Sequence, residues 1–92
     1  MDDFLTLAGL NEFIALDVET TGLNPQQDAV IEFAAVKFIN GKPSNTLNFL
    51  CNPGFPISPE IEQLTGIKDE MLKDKLPFEQ HLDEVLEFIG RI

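Results

Sequence analysis

The sequence predicts an α/β domain in which a three-stranded antiparallel meander is followed by helices. Two observations lead to this prediction. Up to residue 51 the apolar residues form short runs or alternate with polar ones, and Asn40-Gly41 is a strong hairpin signal between two such segments. After Asn52 the apolar residues recur at helical spacing instead. A strand-rich first half and a helical second half follow.

The first strand is predicted at residues 13–19, an apolar run interrupted by Asp17 and Glu19. This pattern is typical of a buried strand whose end emerges into a site. Residues 20–28 contain a glycine and an Asn-Pro pair, both turn signals, and are predicted to form a loop.

Two further strands complete the predicted meander. Residues 29–39 form the second, and residues 46–51 form the third, after a polar break at residues 43–45. The third strand places apolar side chains at alternate positions: Leu47, Phe49 and Cys51. Such alternation indicates a strand with one buried face.

The helical half begins with Ser58, which is predicted to cap a helix of about two turns that Gly66 ends. Asp69 is predicted to cap another brief turn. Residues 77–89 carry apolar side chains on one face and acids on the other, and Gly90 follows as a stop signal. Residues 77–89 are therefore the clearest helix in the chain.

Composition limits the function classes. Ninety-two residues allow one domain, and the net charge of −10 argues against a protein that binds duplex nucleic acid through a broad basic surface. It argues less against a metallonuclease, because bound divalent cations locally invert the field that an anionic substrate meets. The single cysteine, Cys51, excludes a disulfide framework and a cysteine zinc site.

Localisation is expected to be cytoplasmic. A lone cysteine fits a reducing compartment, and no run of 18 apolar residues is present. The acidic start, Met-Asp-Asp-Phe, does not resemble a signal peptide. No membrane association is expected.

Asp17 and Glu19 are the candidate catalytic residues. They lie two positions apart on one strand, so their side chains project from the same face. Carboxylate oxygens are the ligands that Mg²⁺ and Mn²⁺ prefer. Taken by itself, an Asp-x-Glu pair more often belongs to a strand that simply ends in solvated acids.

The residues around Asp17 and Glu19 distinguish between a metal site and a strand that ends in solvated acids. Residues 13–25, FIALDVETTGLNP, are followed by residues 30–37, VIEFAAVK, and by LTGIKDEML at residues 64–72. This series resembles the DnaQ-like (DEDD) 3′–5′ exonucleases of the ribonuclease H-like superfamily, which include the proofreading epsilon subunit of bacterial DNA polymerase III. The resemblance implies that residues 12–92 are the N-terminal portion of such a domain, without its later strands and helices. Residues 1–11 are expected to form an N-terminal arm or short helix.

The resemblance also implies roles for residues. Asp17 and Glu19 would hold two Mg²⁺ or Mn²⁺ ions for phosphodiester hydrolysis, the backbone at Thr20 would contact the terminal 3′-hydroxyl, and Leu23 would wedge under the last base. The implied substrate is a single-stranded 3′ end, with DNA favoured over RNA, in proofreading or repair. The implied partner is a DNA polymerase subunit.

Two departures from the family pattern limit these expectations. Some proofreading members carry His at the position of Thr65, and the family's second motif, typically His-Asn-x-x-Phe-Asp, begins beyond Ile92. Residues 1–92 alone are therefore expected to be inactive. The alternative is a non-catalytic binding or assembly module derived from the fold, which self-associates through an uncovered sheet.

Three smaller features are better explained by surface positions than by catalysis or substrate binding. Glu32 is predicted at a polar-face or edge position of strand two, and His81 at a solvated helix surface. Lys68, Lys73 and Lys75 form the densest basic cluster, and a solvated helix rim is favoured over a phosphate contact.

Overall fold

A computed structural model describes residues 11–90. Three strands, β1 (Glu12–Thr20), β2 (Val30–Ile39) and β3 (Lys42–Leu50), form one antiparallel sheet in the order β1-β2-β3. The predicted meander is confirmed, with β2 in its centre. The expected arm or short helix at residues 1–11 lies outside the described residues, apart from its last position.

The β2–β3 hairpin turns at Asn40 and Gly41, whose φ angles of 52° and 79° are both left-handed. Paired positive φ values match the right-handed twist of the flanking strands. Because the turn is so tight, pairing resumes at once and β3 begins at Lys42, opposite Ile39. The predicted polar break is therefore wrong. Pro43 is tolerated in β3 because this is an edge strand.

Helices follow the sheet. Ser58 Oγ accepts a hydrogen bond from Ile61 N at 3.3 Å and caps α1 (Pro59–Thr65), which Gly66 ends with φ 77°. Both predicted end signals are confirmed. Thr65 Oγ1 donates to the Ile61 carbonyl at 2.7 Å and accepts from Ile67 N at 3.1 Å, so this side chain serves the end of α1.

The next helical segments differ in detail from their predictions. Asp69 is the first residue of α2 (Asp69–Leu72), and its Oδ1 accepts from Ile57 N at 2.8 Å, so it fastens an upstream segment and does not cap the helix. The predicted helix at residues 77–89 consists of a 3₁₀ turn (Phe78–His81) and α3 (Leu82–Ile89).

The core lies on the face of the sheet that carries alternate β2 residues: Ile31, Phe33 and Ala35. Val85 of α3 packs against the Phe33 end, and Ile57, Ile67 and Leu72 pack against Ile31. The helices thus cover β2 and β3.

The helices cover less of β1 than of β2 and β3. Ile14 packs against the cluster formed by Phe33, Ala35 and Val85. On the same face of β1, however, the side chains of Leu16 and Val18 remain 55% and 41% exposed. The expectation that the first strand is buried is therefore wrong for the residues described. The apolar run at residues 13–19 predicted the strand correctly. Its side chains stay exposed because no helix within residues 11–90 lies over this part of β1.

No helix among residues 11–90 has the length and apolar character needed to cross a membrane.

Candidate active site

Asp17 and Glu19 project from the face of β1 opposite to the core. Asp17 pairs with Ala34 of β2 and Glu19 with Glu32, while Val18 pairs with the buried Phe33 on the other face. Asp17 is exposed and Glu19 is half-buried. The predicted common orientation of the two carboxylates is thus present, and the cross-strand partner of Asp17 is the small residue Ala34.

Glu32 faces Glu19 directly across the strands. Like charges at directly opposed positions destabilise a sheet unless a cation or solvent screens them. The polar-face prediction for Glu32 is confirmed, whereas an edge position is wrong because β2 is the central strand. The face of the sheet opposite the core therefore carries three neighbouring carboxylates: Asp17 and Glu19 on β1, and Glu32 on β2.

These carboxylates do not converge into a complete metal site. Within residues 11–90, no group of three or more Asp, Glu, His or Cys side chains is arranged so that it could hold a metal ion. The salt bridges in the same range lie elsewhere, between Lys75 and Asp74 and between His81 and Glu84. Asp17 and Glu19 thus offer oxygen donors of the type that Mg²⁺ and Mn²⁺ prefer, but residues 11–90 supply no full ligand set beside them.

Strand β1 ends in a register shift between Glu19 and Thr20. Bulges of this kind re-aim the chain at the end of a strand and are frequent beside active sites. Thr20 Oγ1 donates to the Gly22 carbonyl at 2.6 Å, which turns the backbone immediately after the carboxylate pair. The loop therefore begins in a fixed conformation.

Asp28 closes this loop from its far end. Its Oδ1 accepts from Thr21 Oγ1 at 2.8 Å and its Oδ2 accepts from Asn24 N at 2.8 Å. Thr21 Oγ1 also accepts from Ala29 N at 2.9 Å. Sequence reasoning missed Asp28. The available signal was an acid placed between an Asn-Pro turn and an apolar strand, where Asp commonly hydrogen-bonds nearby backbone.

Leu23 stands at the tip of the loop and is fully exposed. It borders an open cavity of about 420 Å³ that runs from Thr20 to Val30, with Asn24, Pro25 and Asp28 among its lining residues. This volume lies in the range of small-ligand sites. The loop thus brings both predicted substrate-binding residues, Thr20 and Leu23, to one concave surface directly after Glu19.

The other candidate residues lie apart from this surface. Lys68, Lys73 and Lys75 are exposed, as predicted for a solvated rim. His81 is not a solvated surface residue. Its imidazole is 15% exposed, stacks on Phe49 with ring centroids 3.8 Å apart, and pairs through Nδ1 with Glu84.

Comparison with known proteins gives the family. The RNase T exonuclease model matches residues 14–92. The PolC-type DNA polymerase III of Caldanaerobacter subterraneus subsp. tengcongensis is 46% identical over 77 residues, which are 84% of this chain and 6% of that protein. The 3′–5′ exonuclease DinG of Bacillus subtilis is 40% identical over 78 residues, 84% of this chain and 8% of that protein. The chain spans a small part of these relatives.

Solved structures agree in fold. Exonuclease X, in complex with 5′-overhanging duplex DNA, superposes with a TM-score of 0.69 at 33% identity and covers 78% of this chain and 42% of its own. The nuclease domain of 3′hExo, a DEDDh family member bound to rAMP, gives a TM-score of 0.73 at 23% identity, covering 85% of this chain and 43% of its own. The predicted ribonuclease H-like fold is confirmed, as part of a domain. The chain belongs to the RNase T-type exonuclease family and carries the strand meander and first helices of its domain.

Proposed function

We propose that this chain supplies the first carboxylate pair and the terminus-binding loop of a metal-dependent 3′–5′ exonuclease. The observation that carries the proposal is the shared face of Asp17 and Glu19, followed at once by an ordered loop that bears Thr20 and Leu23. The family match over residues 14–92 supports it, because the pair and the loop both lie inside the matched range.

Asp17 and Glu19 are the residues that would hold Mg²⁺ or Mn²⁺, two ions in the complete site. Bound divalent cations supply an activated water and neutralise charge on the scissile phosphate. The chain's own contribution is to orient two carboxylates on a rigid strand and, through Thr20 and Leu23, to position the 3′ end. Phosphodiester hydrolysis by residues 1–92 alone is not expected, since two carboxylates are an incomplete ligand set.

The proposed substrate is a single-stranded 3′ end, with DNA favoured over RNA. The PolC-type and DinG relatives favour a role in DNA replication or repair, beside a DNA polymerase subunit. The net charge of −10 fits a substrate contact confined to a small metal-centred surface and not a broad basic one. A cytoplasmic location fits the lone, reduced Cys51.

Calorimetric titration with Mn²⁺ tests the metal site. The chain is compared with Asp17→Ala and Glu19→Ala, and with Asp83→Ala as a control that removes an equal charge from α3. Both β1 variants should lose most of the binding heat, while Asp83→Ala should keep it. Equal heats in all four proteins would mean that the pair is not a metal site.

Turnover is tested separately with a 5′-labelled single-stranded oligonucleotide and Mg²⁺. Residues 1–92 should leave it intact. Stepwise shortening from the 3′ end, abolished by Asp17→Ala, would contradict the expectation that further ligands are required.

The second candidate function is a non-catalytic binding or assembly module. Within residues 11–90, it is favoured by the exposure of Leu16 and Val18 on the core face of β1, and by the outer edge of that strand, which pairs with no other described strand. Self-association through this sheet follows from it. A strictly monomeric mass by light scattering at high concentration, with cooperative unfolding, would count against this candidate.

A further inference from the structure

We propose that Asp28 is a positioning residue, which holds the loop so that Leu23 meets the 3′-terminal base in a preset place. The inference rests on the proposed function and adds to it a residue outside the Asp17–Glu19 pair. It assigns to Asp28 no role in metal binding or in the chemical step.

Both carboxylate oxygens of Asp28 accept hydrogen bonds from within the loop. Oδ1 is engaged by the Thr21 hydroxyl and Oδ2 by the Asn24 amide, each at 2.8 Å. These partners lie on the two sides of Leu23 in the sequence. The backbone of Asp28 adds a third link, because its N donates to the Asn24 carbonyl at 2.7 Å. The side chain thus fastens both flanks of the exposed leucine.

The direction of the Thr21 hydrogen bond is fixed by its neighbours. Thr21 Oγ1 accepts from Ala29 N at 2.9 Å, so its single proton is available for the Asp28 carboxylate. Thr21 N donates to the Ala29 carbonyl at 2.9 Å. Thr21 therefore connects Ala29, the residue just before β2, to the Asp28 carboxylate, and hydrogen bonds to a charged acceptor are the stronger kind.

Gly22 fits closely over the same carboxylate. A Cβ at this position would lie 2.5 Å from Asp28 Oδ2 and 2.8 Å from its Cγ, which is closer than non-bonded atoms approach. A side chain at this position would force the Asp28 carboxylate to shift. The carboxylate therefore lies close under the backbone of Gly22, between its hydrogen-bond partners Thr21 and Asn24.

The side chain of Leu23 is fully exposed, so no residue in the described range 11–90 packs over it and fixes its position. Its place is set by the backbone at Thr21, Gly22 and Asn24, and hence by Asp28. A loop already ordered before binding does not lose conformational freedom when the ligand arrives, so affinity for the terminal base is higher. Loss of the Asp28 hydrogen bonds should therefore weaken the contact between Leu23 and the terminal base more than it weakens binding elsewhere along the oligonucleotide.

The test uses the 92-residue chain with Mn²⁺ and a single-stranded DNA oligonucleotide carrying 2-aminopurine, either as its 3′-terminal base or as an internal base. Because the protein contains no Trp or Tyr, the probe fluorescence is undisturbed. Stacking of the terminal base on Leu23 should change the terminal signal and not the internal one. Leu23→Ala should abolish that terminal response.

Asp28→Asn should raise the apparent Kd measured with the terminal probe about tenfold, which corresponds to the loss of one stacked base. Thr21→Val, which removes the hydroxyl, should do the same, whereas Thr21→Ser should retain the response. Asp69→Asn is the charge-matched control, because it removes the same charge at a distant site, where the amide oxygen of Asn can still accept the hydrogen bond from Ile57 N. Hydrogen exchange of the Asn24 amide should become faster only in the Asp28 and Thr21→Val proteins.

A wild-type terminal response in Asp28→Asn, or an equal loss in Asp69→Asn, would overturn the proposal. If Asp28→Asn fails to fold, the Thr21→Val and Thr21→Ser pair decides it, and equal responses in these two would overturn it. Absence of any terminal response in the unaltered chain would also overturn it. The Mn²⁺ heats of Asp17→Ala and Glu19→Ala report separately on the proposed function.

Discussion

Strands β1 and β2 have similar apolar patterns and very different surroundings. On the core face, β2 carries Phe33 at 4% exposure, while its register partner on β1, Val18, is 41% exposed. The difference arises from residues 57–89, whose helices and connecting segments pack against β2 and β3, while on β1 the residue that packs against this core is Ile14. Among the described residues, β1, which carries the candidate site, therefore pairs with one strand, whereas β2, which carries the core, pairs with two strands and packs against the helices.

The largest expected effect comes from a matched pair of phenylalanines. Phe33 stacks on Phe49 at 5.2 Å and is buried, whereas Phe13 stacks on Phe38 at 5.0 Å and is 37% exposed. Phe33→Ala should lower the free energy of unfolding by about 3 to 5 kcal/mol, and Phe13→Ala by about 1 kcal/mol. Urea unfolding followed by circular dichroism measures both, and equal losses would contradict the contrast between β1 and β2.

The next effect concerns pH and the covered end of β3. Burial, assisted by the charges of Glu79 and Glu84, raises the pKa of the Cys51 thiol from 9.0 to about 11. Well below pH 9 the thiol is neutral in both the folded and the unfolded state, so the full contribution of this group to stability is present. Between pH 9 and 11 the unfolded chain loses this proton first, so stability should fall by about 2 to 3 kcal/mol.

Unfolding measured from pH 8 to 11 checks this prediction. The control is Cys51→Ala, in which the part of the slope due to the thiol should disappear. A sharper comparison places the only thiol on β1, in the double variant Cys51→Ala, Leu16→Cys. The exposed thiol should react with iodoacetamide at pH 8 much faster than Cys51 does, and equal rates would mean that β1 is covered.

A third prediction concerns the loop that β1 leads into. Gly22→Ala should cost about 1 to 2 kcal/mol, because the added methyl group meets the Asp28 carboxylate. The cost should shrink in an Asp28→Ala background, where the clash is absent. A double-mutant cycle in urea measures the coupling, and strict additivity would show that the two residues do not touch.

The smallest effect is expected on the uncovered face. Leu16→Gln should change the free energy of unfolding by less than about 0.5 kcal/mol, because the side chain is already largely in water. If the chain self-associates through this face, the same substitution should lower the mass measured by light scattering. A large loss of stability in Leu16→Gln would contradict the exposed position of Leu16.

The order of elements could be predicted from the sequence because it depends on local physics. Asn40-Gly41 favours a tight hairpin through its left-handed backbone, and Ser58 and Gly66 begin and end α1 through local hydrogen bonds and φ. The common face of Asp17 and Glu19 follows from the two-residue period of a strand. These features need no partner from elsewhere in the chain.

Features that depend on distant contacts were missed or wrong. His81 has polar neighbours in the sequence, but its burial depends on Phe49 of β3. The role of Asp28 depends on bonds to Thr21 and Asn24 across the loop, and Asp69 fastens Ile57 in place of capping its helix. A side chain's own helix or strand does not reveal which other segment it will contact.

The sequence by itself determined that this chain is an exonuclease-type meander with one carboxylate pair on a common strand face, because side-chain period and turn chemistry are local. Only the tertiary structure decided that β1 is exposed while β2 is buried, and that Asp28 serves the loop around Leu23. The physical reason is that burial and hydrogen-bond partners are set by which segments pack together, and a pattern of residues along one strand does not contain that information.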